Sequence, residues 1–323
     1  MTAAGARGLV AERSPGRRLL STAPNSSGPM TARLEGAPLA RQILVELRGE
    51  VAALGGPPPS LVSVHQEAAT PFAFYLRQQA RLCAEVGIRF QERSLGAGTT
   101  AEALRGLLRE LNRSPEVDAV LVEHPLPAAL GFRRAVDELS PWKDVDGVGT
   151  SNLGRLAVGQ PIQVPAVARA ALALAARFDL PVEGGHVGVV GRSESVGIPL
   201  ALRLLDRGAG SNATVTVAHS RTPSLARALA DCRVIFSCVG RPGLLNRSNV
   251  PRGAFVIDVG LTSRPDPDRP GRHRAVGDAD VADLEGWAEG VSPVPGGVGA
   301  VTVPMLLSNV LAARRHRLAE GTG

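Results

Sequence analysis

The chain has 323 residues, 44% of them hydrophobic, and a formal charge of +6 at pH 7. That length fills about two domains, and no run approaches the roughly 20 apolar residues that a membrane-spanning helix needs. The positive excess comes from scattered arginines and only 3% of residues are aromatic, too few for base-stacking platforms, so an anionic small molecule fits the charge better than nucleic acid.

Residues 1–30 are rich in Arg, Ser, Pro and Gly and carry almost no acid. They are expected to form a disordered extension, with Met30 as an alternative start; a transit peptide is the other reading. From Leu34 to Ala53 apolar residues recur at helical spacing, and Gly55-Gly56-Pro57-Pro58-Pro59 stops that helix. Ser60 to His65 reads as a buried strand. Pro71 to Val86 reads as a helix that puts Tyr75 and Gln79 on one face, four residues apart. A strand over Ile88 to Ser94, a helix over Thr99 to Asn112 and a strand over Val117 to Glu123 follow. Strands alternating with helices imply a parallel sheet covered on both faces.

Pro125 to Pro165 reads as a loop-rich connection, and Val167 to Phe178 as a helix. A second α/β unit follows: a strand at His186 to Val190, a helix over Val196 to Arg207, a strand over Ala213 to Ala218 and a short helix over Ser224 to Ala230. Strands at Val234 to Cys238 and Ala254 to Val259 complete it. The last helix, Thr302 to Leu318, is long enough to cross back to the first unit. The expected division is residues 31–150 plus 303–323 for one α/β domain and 151–302 for the other. The cysteines Cys83, Cys232 and Cys238 lie in apolar stretches without metal spacing. They read as buried small side chains in a reducing, cytoplasmic setting.

Gly191-Arg192-Ser193-Glu194-Ser195-Val196-Gly197 directly follows a strand and opens a helix. Backbone N–H groups at such a helix start attract a pyrophosphate, and small residues let the backbone approach it. The next strand ends in His219-Ser220-Arg221-Thr222. An acid there would hold a ribose 2′-hydroxyl; a hydroxyl and a guanidinium suit a 2′-phosphate, as Arg192 also does. These residues favour NADP over NAD.

Taken together the motifs resemble the bifunctional methylenetetrahydrofolate dehydrogenase/cyclohydrolase family. The supporting segments include Tyr75, Val117 to Pro127, Lys143-Asp144-Val145-Asp146-Gly147, Asn152 to Leu156 and the loop from Gly191 to Pro199. Val256 to Gly260, Val276-Gly277-Asp278 and Pro293-Val294-Pro295-Gly296-Gly297-Val298-Gly299 extend the likeness over residues 31–318. The resemblance implies two α/β domains flanking a cleft, the second a Rossmann-like doubly wound parallel sheet. It also implies a homodimer, NADP on the second domain and a tetrahydrofolate-type substrate in the cleft. Tyr75 matches the family's pterin-stacking tyrosine and Asp146 its pterin-edge aspartate. Gly191, Arg192, Ser193, Ser220 and Leu261 match its cofactor positions, and Pro295, Gly296 and Gly297 its substrate-side glycine turn.

Other positions depart from the pattern. The family's catalytic lysine, in Tyr-x-x-x-Lys, is Gln79 here, and the glutamine that supports it is Glu123. A family serine is Phe72, the Pro-Cys-Thr-Pro segment reads Ile162-Gln163-Val164-Pro165, and Pro-Met after the glycine turn reads Ala300-Val301. The chain has a single lysine, Lys143, inside the Lys-Asp-Val-Asp-Gly turn. The expectation is a dehydrogenase, with Tyr75, Gln79, Glu123 and Asp146 at its centre and hydrolysis weak or lost. Two alternatives stay open: Glu123 as a substitute base in a fully bifunctional enzyme, or a nucleotide-binding relative that catalyses nothing.

Overall fold

The computed structural model describes residues 30–67, 70–123, 126, 128–266, 269 and 271–320. The expected extension over residues 1–30 lies outside them except for Met30, and so does the side chain of Phe72. The chain opens with β1 (Ala32–Arg33), α1 (Ala37–Ala53), β2 (Ser60–Gln66), α2 (Thr70–Val86), β3 (Arg89–Leu95), α3 (Ala101–Arg113) and β4 (Ala119–Val122). Helix α1 starts later than its apolar period suggests, because Leu34 N–H still donates to Val291 O, in continuation of β1. Thr100 caps α3 by accepting from Ala103 N–H at 3.1 Å.

β3, β2 and β4 form a parallel three-stranded sheet in that order. One face, with Val62 and Val64, packs on Leu104, Leu108 and Leu111 of α3. The opposite face, through Leu61, joins a core with Leu44 and Leu47 of α1 and Leu82 and Val86 of α2. Alternation along β2 therefore puts Ser63 and His65 on the α2 side.

The connection expected as loop carries α4 (Phe132–Val136) and α5 (Thr150–Ala157). Both are short helices that periodicity over so few residues does not reveal. Then come α6 (Ala166–Arg177), β5 (His186–Val190), α7 (Gly197–Leu205), β6 (Thr214–Ala218), α8 (Leu225–Leu229), β7 (Val234–Ser237) and β8 (Phe255–Asp258). A hairpin of β9 (Thr262–Pro265) and β10 (His273–Val276), then α9 (Val281–Leu284), β11 (Gly290–Val291) and α10 (Val298–Glu320), finish the chain. α10 starts at Val298, directly on the glycine turn, and packs on α6 and α1 while touching α2.

The larger sheet is parallel throughout, in the order β1-β11-β8-β7-β5-β6. The chain runs from β5 outward to β6, then crosses to β7 on the other side of β5. The strand order thus reverses at the carboxyl end of β5, where doubly wound sheets bind ligands. Strand β1, from the amino-terminal segment, joins this larger sheet through Ala32 and Arg33. Among the described residues no helix is long and apolar enough to cross a membrane.

Candidate active site

Four side chains converge where α2, β2, β4 and the turn after α4 meet. Tyr75 and Gln79 stand one turn apart on α2. Glu123 follows the last residue of β4, and its N–H donates to Val64 O at 2.9 Å. Gln79 Nε2 donates to Glu123 Oε1 at 2.7 Å. Ser63 Oγ donates to the same oxygen at 3.1 Å. Gln79 is fully buried, and its Oε1 has no hydrogen-bond partner. Burial pushes the Glu123 carboxyl above the usual carboxylate range, against the pull of the Gln79 and Ser63 hydrogen bonds and of His65.

Asp146 is carried by a tight turn. Gly147 has φ +68°, and a Cβ there would stand 3.0 Å from Val164 C and Pro165 N, so only glycine lets the turn lie against residues 163–165. Asp144 holds the turn from inside, accepting from Gly149 N–H at 2.8 Å, Asn152 Nδ2 at 2.8 Å and Gly147 N–H at 3.2 Å. Asn309 of α10 clamps both sides, donating to Val145 O at 2.8 Å and Val164 O at 2.9 Å. Gln163 adds bonds to Trp142 O and Asn309 O, each 3.1 Å. Burial, then the charges of Asp144 and Glu123, raise the Asp146 carboxyl to about 8. Burial, then the charges of Glu123 and of Asp146 itself, push the Tyr75 phenol well above its usual value. Tyr75, Glu123 and Asp146 therefore lie within one electrostatic neighbourhood.

Lys143 is not part of this centre. Its Nζ donates to Leu111 O at 3.1 Å and Ser114 O at 2.7 Å, closing the carboxyl end of α3.

The residues expected to meet a nucleotide gather at the strand ends of the larger sheet. Gly191 follows β5 with φ +118°, and a Cβ there would meet Cys238 O at 2.7 Å. A Cβ on Gly197 would meet Gly191 O at 2.4 Å. Both glycines are thus required for a loop folded this tightly onto the start of α7. Ser193 Oγ accepts from Gly197 N–H at 3.2 Å. Arg192, Ser193, Ser220 and Arg221 are exposed. Gly191 N–H donates to Ala218 O at 2.8 Å, so the two loops that bear them are neighbours. This is a backbone cradle at a helix start with exposed guanidinium and hydroxyl groups at its rim, which fits a phosphorylated dinucleotide. Leu261 lies 70% exposed beyond β8, on the far side of β7. Asp258 and Asp278 sit beneath that rim: Asp278 accepts from Ser237 Oγ at 2.7 Å and Val239 N–H at 2.9 Å, and Asp258 from Gly260 and Ala279 N–H.

Pro295, Gly296 and Gly297 form the turn between β11 and α10. Gly296 has φ +112° and its carbonyl accepts from Gly36 N–H at 2.8 Å. The two units also meet at Arg133, whose guanidinium pairs with Glu194 of the Gly191 loop and donates to Val148 O at 2.7 Å. A cavity of about 440 Å³, lined by Arg133, Thr150, Leu153, Gly154, Glu194 and Ile198, opens beside that pair.

Sequence reasoning left out Ser63, His65, Asn309 and the supporting roles of Asp144 and Gln163. Ser63 and His65 could have been found from strand alternation, which places them on the face opposite Val62 and Val64. Asn309 gives no local signal, since its partners are 164 and 145 positions away.

Known proteins resemble this chain in sequence and in fold. The family model for the catalytic domain of tetrahydrofolate dehydrogenase/cyclohydrolase matches residues 34–146, and that for its NAD(P)-binding domain matches residues 165–318. The chain is 40% identical over 293 residues to "Bifunctional protein FolD 1" of Paenarthrobacter aurescens, covering 90% of this chain and 96% of that one. A crystal structure of the Trypanosoma brucei methylenetetrahydrofolate dehydrogenase-cyclohydrolase, complexed with NADP and inhibitor, superposes with a TM-score of 0.83 at 33% identity, covering 90% and 99% of the two chains. A 5,10-methylenetetrahydrofolate dehydrogenase from the silkworm, Bombyx mori, gives 0.82 at 33% identity, with 91% and 100% covered.

Proposed function

The chain belongs to the tetrahydrofolate dehydrogenase/cyclohydrolase family, and from that premise we propose that it oxidises 5,10-methylenetetrahydrofolate with NADP+ and has lost most of the ring-opening step. The observation that carries this reading is Gln79 donating to Glu123 where the family pattern has a lysine and a glutamine.

The two reactions ask different things of the protein. In the first, a hydride leaves the methylene carbon, and the folate becomes a methenyl cation. NADP+, when bound, supplies the hydride acceptor. No side chain has to move a proton in that step. The chain must hold two carbons in contact and stabilise positive charge. Gly191, Arg192, Ser193 and Ser220 are suited to hold the nucleotide phosphates. Tyr75 offers a ring face to the pterin, and Asp146 a carboxyl to its edge.

In the second reaction water adds to the methenyl carbon, a C–N bond breaks and a proton is released. A positioned acid/base raises such a rate by about 10²- to 10⁴-fold. An amide at residue 79 does not titrate near neutral pH, and Lys143 is engaged at α3. Hydrolysis therefore falls toward its uncatalysed rate.

A second reading has its own observation. Glu123 is a carboxyl in hydrogen-bond contact with residue 79, and burial raises its proton affinity. It would serve as a base if hydrolysis persists. Two absorbance readings decide. NADPH must form from methylenetetrahydrofolate; if none forms, the enzyme reading is wrong. The methenyl product must then accumulate; a burst of NADPH without such accumulation favours Glu123 as base.

The family likeness supports two further parts of this proposal, a homodimer and the division into a folate unit (31–150 with 303–323) and a nucleotide unit (151–302). Pro295, Gly296 and Gly297 are assigned to the substrate side on the same ground, and Leu261 to the cofactor rim, where its exposure suits an apolar contact. A cytoplasmic location and the absence of nucleic-acid partners rest on composition alone.

A further inference from the structure

The site holds two carboxyl groups and a tyrosine ring, and the cation expected among them is replaced by an amide. Glu123 is met from α2 by Gln79 and Tyr75, from β2 by Ser63 and His65, and from the turn after α4 by Asp146. Its hydrogen-bond donors are neutral groups, the Gln79 amide and the Ser63 hydroxyl. His65 is the positive candidate on β2. It directs Nε2 at Glu92 Oε2, 3.3 Å away, and Nδ1 at Gln66 O, 3.0 Å away, so both ring nitrogens face oxygens other than those of Glu123. Asp146 faces Asp144 as well as Glu123, so the groups on that side are further carboxyls and not a cation. A lysine–glutamine pair carries one positive charge; the glutamine–glutamate pair carries up to one negative charge with the same donor at residue 79 and the same acceptor at residue 123.

We infer that the folate cleft, read as a dehydrogenase site, is a receptor for the cationic 5,10-methenyl product and holds it more tightly than an uncharged tetrahydrofolate ring. The step that creates this ligand balances as methylenetetrahydrofolate plus NADP+ giving the methenyl cation plus NADPH. On the proposed placement of the pterin against Tyr75 and Asp146, the Glu123 and Asp146 carboxylates are the groups that meet that charge, and the Tyr75 ring face adds cation–π attraction. Burial by itself favours the protonated acids. The arriving cation favours their ionised forms, so binding releases protons and tightens as pH rises. The released cation then needs a hydrolytic reaction on another catalyst to open its ring.

The test is an equilibrium titration of the full chain with 5,10-methenyltetrahydrofolate and, separately, with tetrahydrofolate, from mildly acidic to neutral pH. Glu123→Gln is the main variant, because a glutamine carbonyl still accepts from Gln79 and Ser63 and the fold is kept; Asp146→Asn is the second. The expected result is methenyl binding at least about tenfold tighter than tetrahydrofolate, an advantage that grows with pH and shrinks about tenfold in Glu123→Gln. Equal affinities for the two ligands, or an advantage unchanged in both variants, would overturn the inference. NADPH assays run on the same protein separate the two conclusions. No NADPH with a charge-dependent preference intact defeats the dehydrogenase reading and leaves the cation site standing. NADPH formation with no preference defeats the cation site alone.

Discussion

Gln79 donates its amide hydrogen to Glu123 Oε1 at 2.7 Å, and this bond keeps the donor-to-acceptor direction of a lysine–glutamine pair while reversing the charge. Geometry is retained and titration is lost. Gln79→Lys is therefore expected to raise methenyl hydrolysis by about 10²- to 10⁴-fold. NADPH formation should change far less, because hydride transfer needs no proton carrier. Stopped-flow decay of methenyltetrahydrofolate measures the first, and NADPH absorbance the second. Equal hydrolysis by parent and variant would show that residue 79 is not what limits ring opening.

Glu123→Gln removes charge and leaves both hydrogen bonds in place. If the carboxylate stabilises positive charge during hydride loss, NADPH formation should slow by about tenfold or more. An unchanged rate would assign Glu123 a packing role only. Any residual hydrolysis should be followed in the same variant, since its disappearance would mark Glu123 as the base.

Much of this site was legible in the residues, and the limits have physical causes. Strand–glycine–helix order placed the Gly191 loop between β5 and α7, because a tight βα turn is a local event. Tyr75 and Gln79 shared a face because helical spacing is local too. The partners of Gln79 were not legible in this way: Glu123 is 44 positions away and Ser63 lies on another strand. Strand β1 was hidden for a similar reason. Two residues, Ala32 and Arg33, carry no periodicity, and their pairing with Gly290 and Val291 is set by the whole sheet. Short α4 and α5 fell inside an expected loop because each spans too few turns to show an apolar stripe.

Lys143 is the chain's single lysine, yet its ammonium closes the end of α3 through Leu111 O and Ser114 O. Lys143→Met should lower unfolding stability by about 1–2 kcal/mol. The turnover of the remaining folded enzyme should be nearly unchanged. A urea titration and a turnover number normalised to folded protein test this. A loss of turnover with stability intact would return Lys143 to the chemistry.

Ser220 lies exposed beyond β6, beside the Gly191 loop, with the exposed Arg221 next to it. A carboxylate at residue 220 would repel a 2′-phosphate and accept from a free 2′-hydroxyl. Ser220→Asp should raise the KM for NADP by about tenfold or more and lower that for NAD. Parallel initial-rate series with the two nucleotides measure the ratio. An unchanged ratio would move the specificity contact to another residue.

Asp146 gives the pH dependence of stability a definite sign. Its carboxyl stands at about 8 in the folded chain against 3.8 when exposed, chiefly through burial and then through Asp144 and Glu123. The folded state therefore holds this proton more tightly than the unfolded state. The stability that comes from the protonated form is complete below about pH 4 and is lost as pH rises toward about 8. Asp146→Asn carries no such penalty. Its unfolding free energy should exceed that of the parent by about 1–2 kcal/mol near pH 8, allowing for screening at a partly open cleft, and the two should converge near pH 4. Urea midpoints across that range provide the comparison. A parent that gains stability relative to the variant as pH rises would mean that Asp146 is ionised and paired in the resting protein, and the electrostatics of the cleft would have to be rebuilt around that charge.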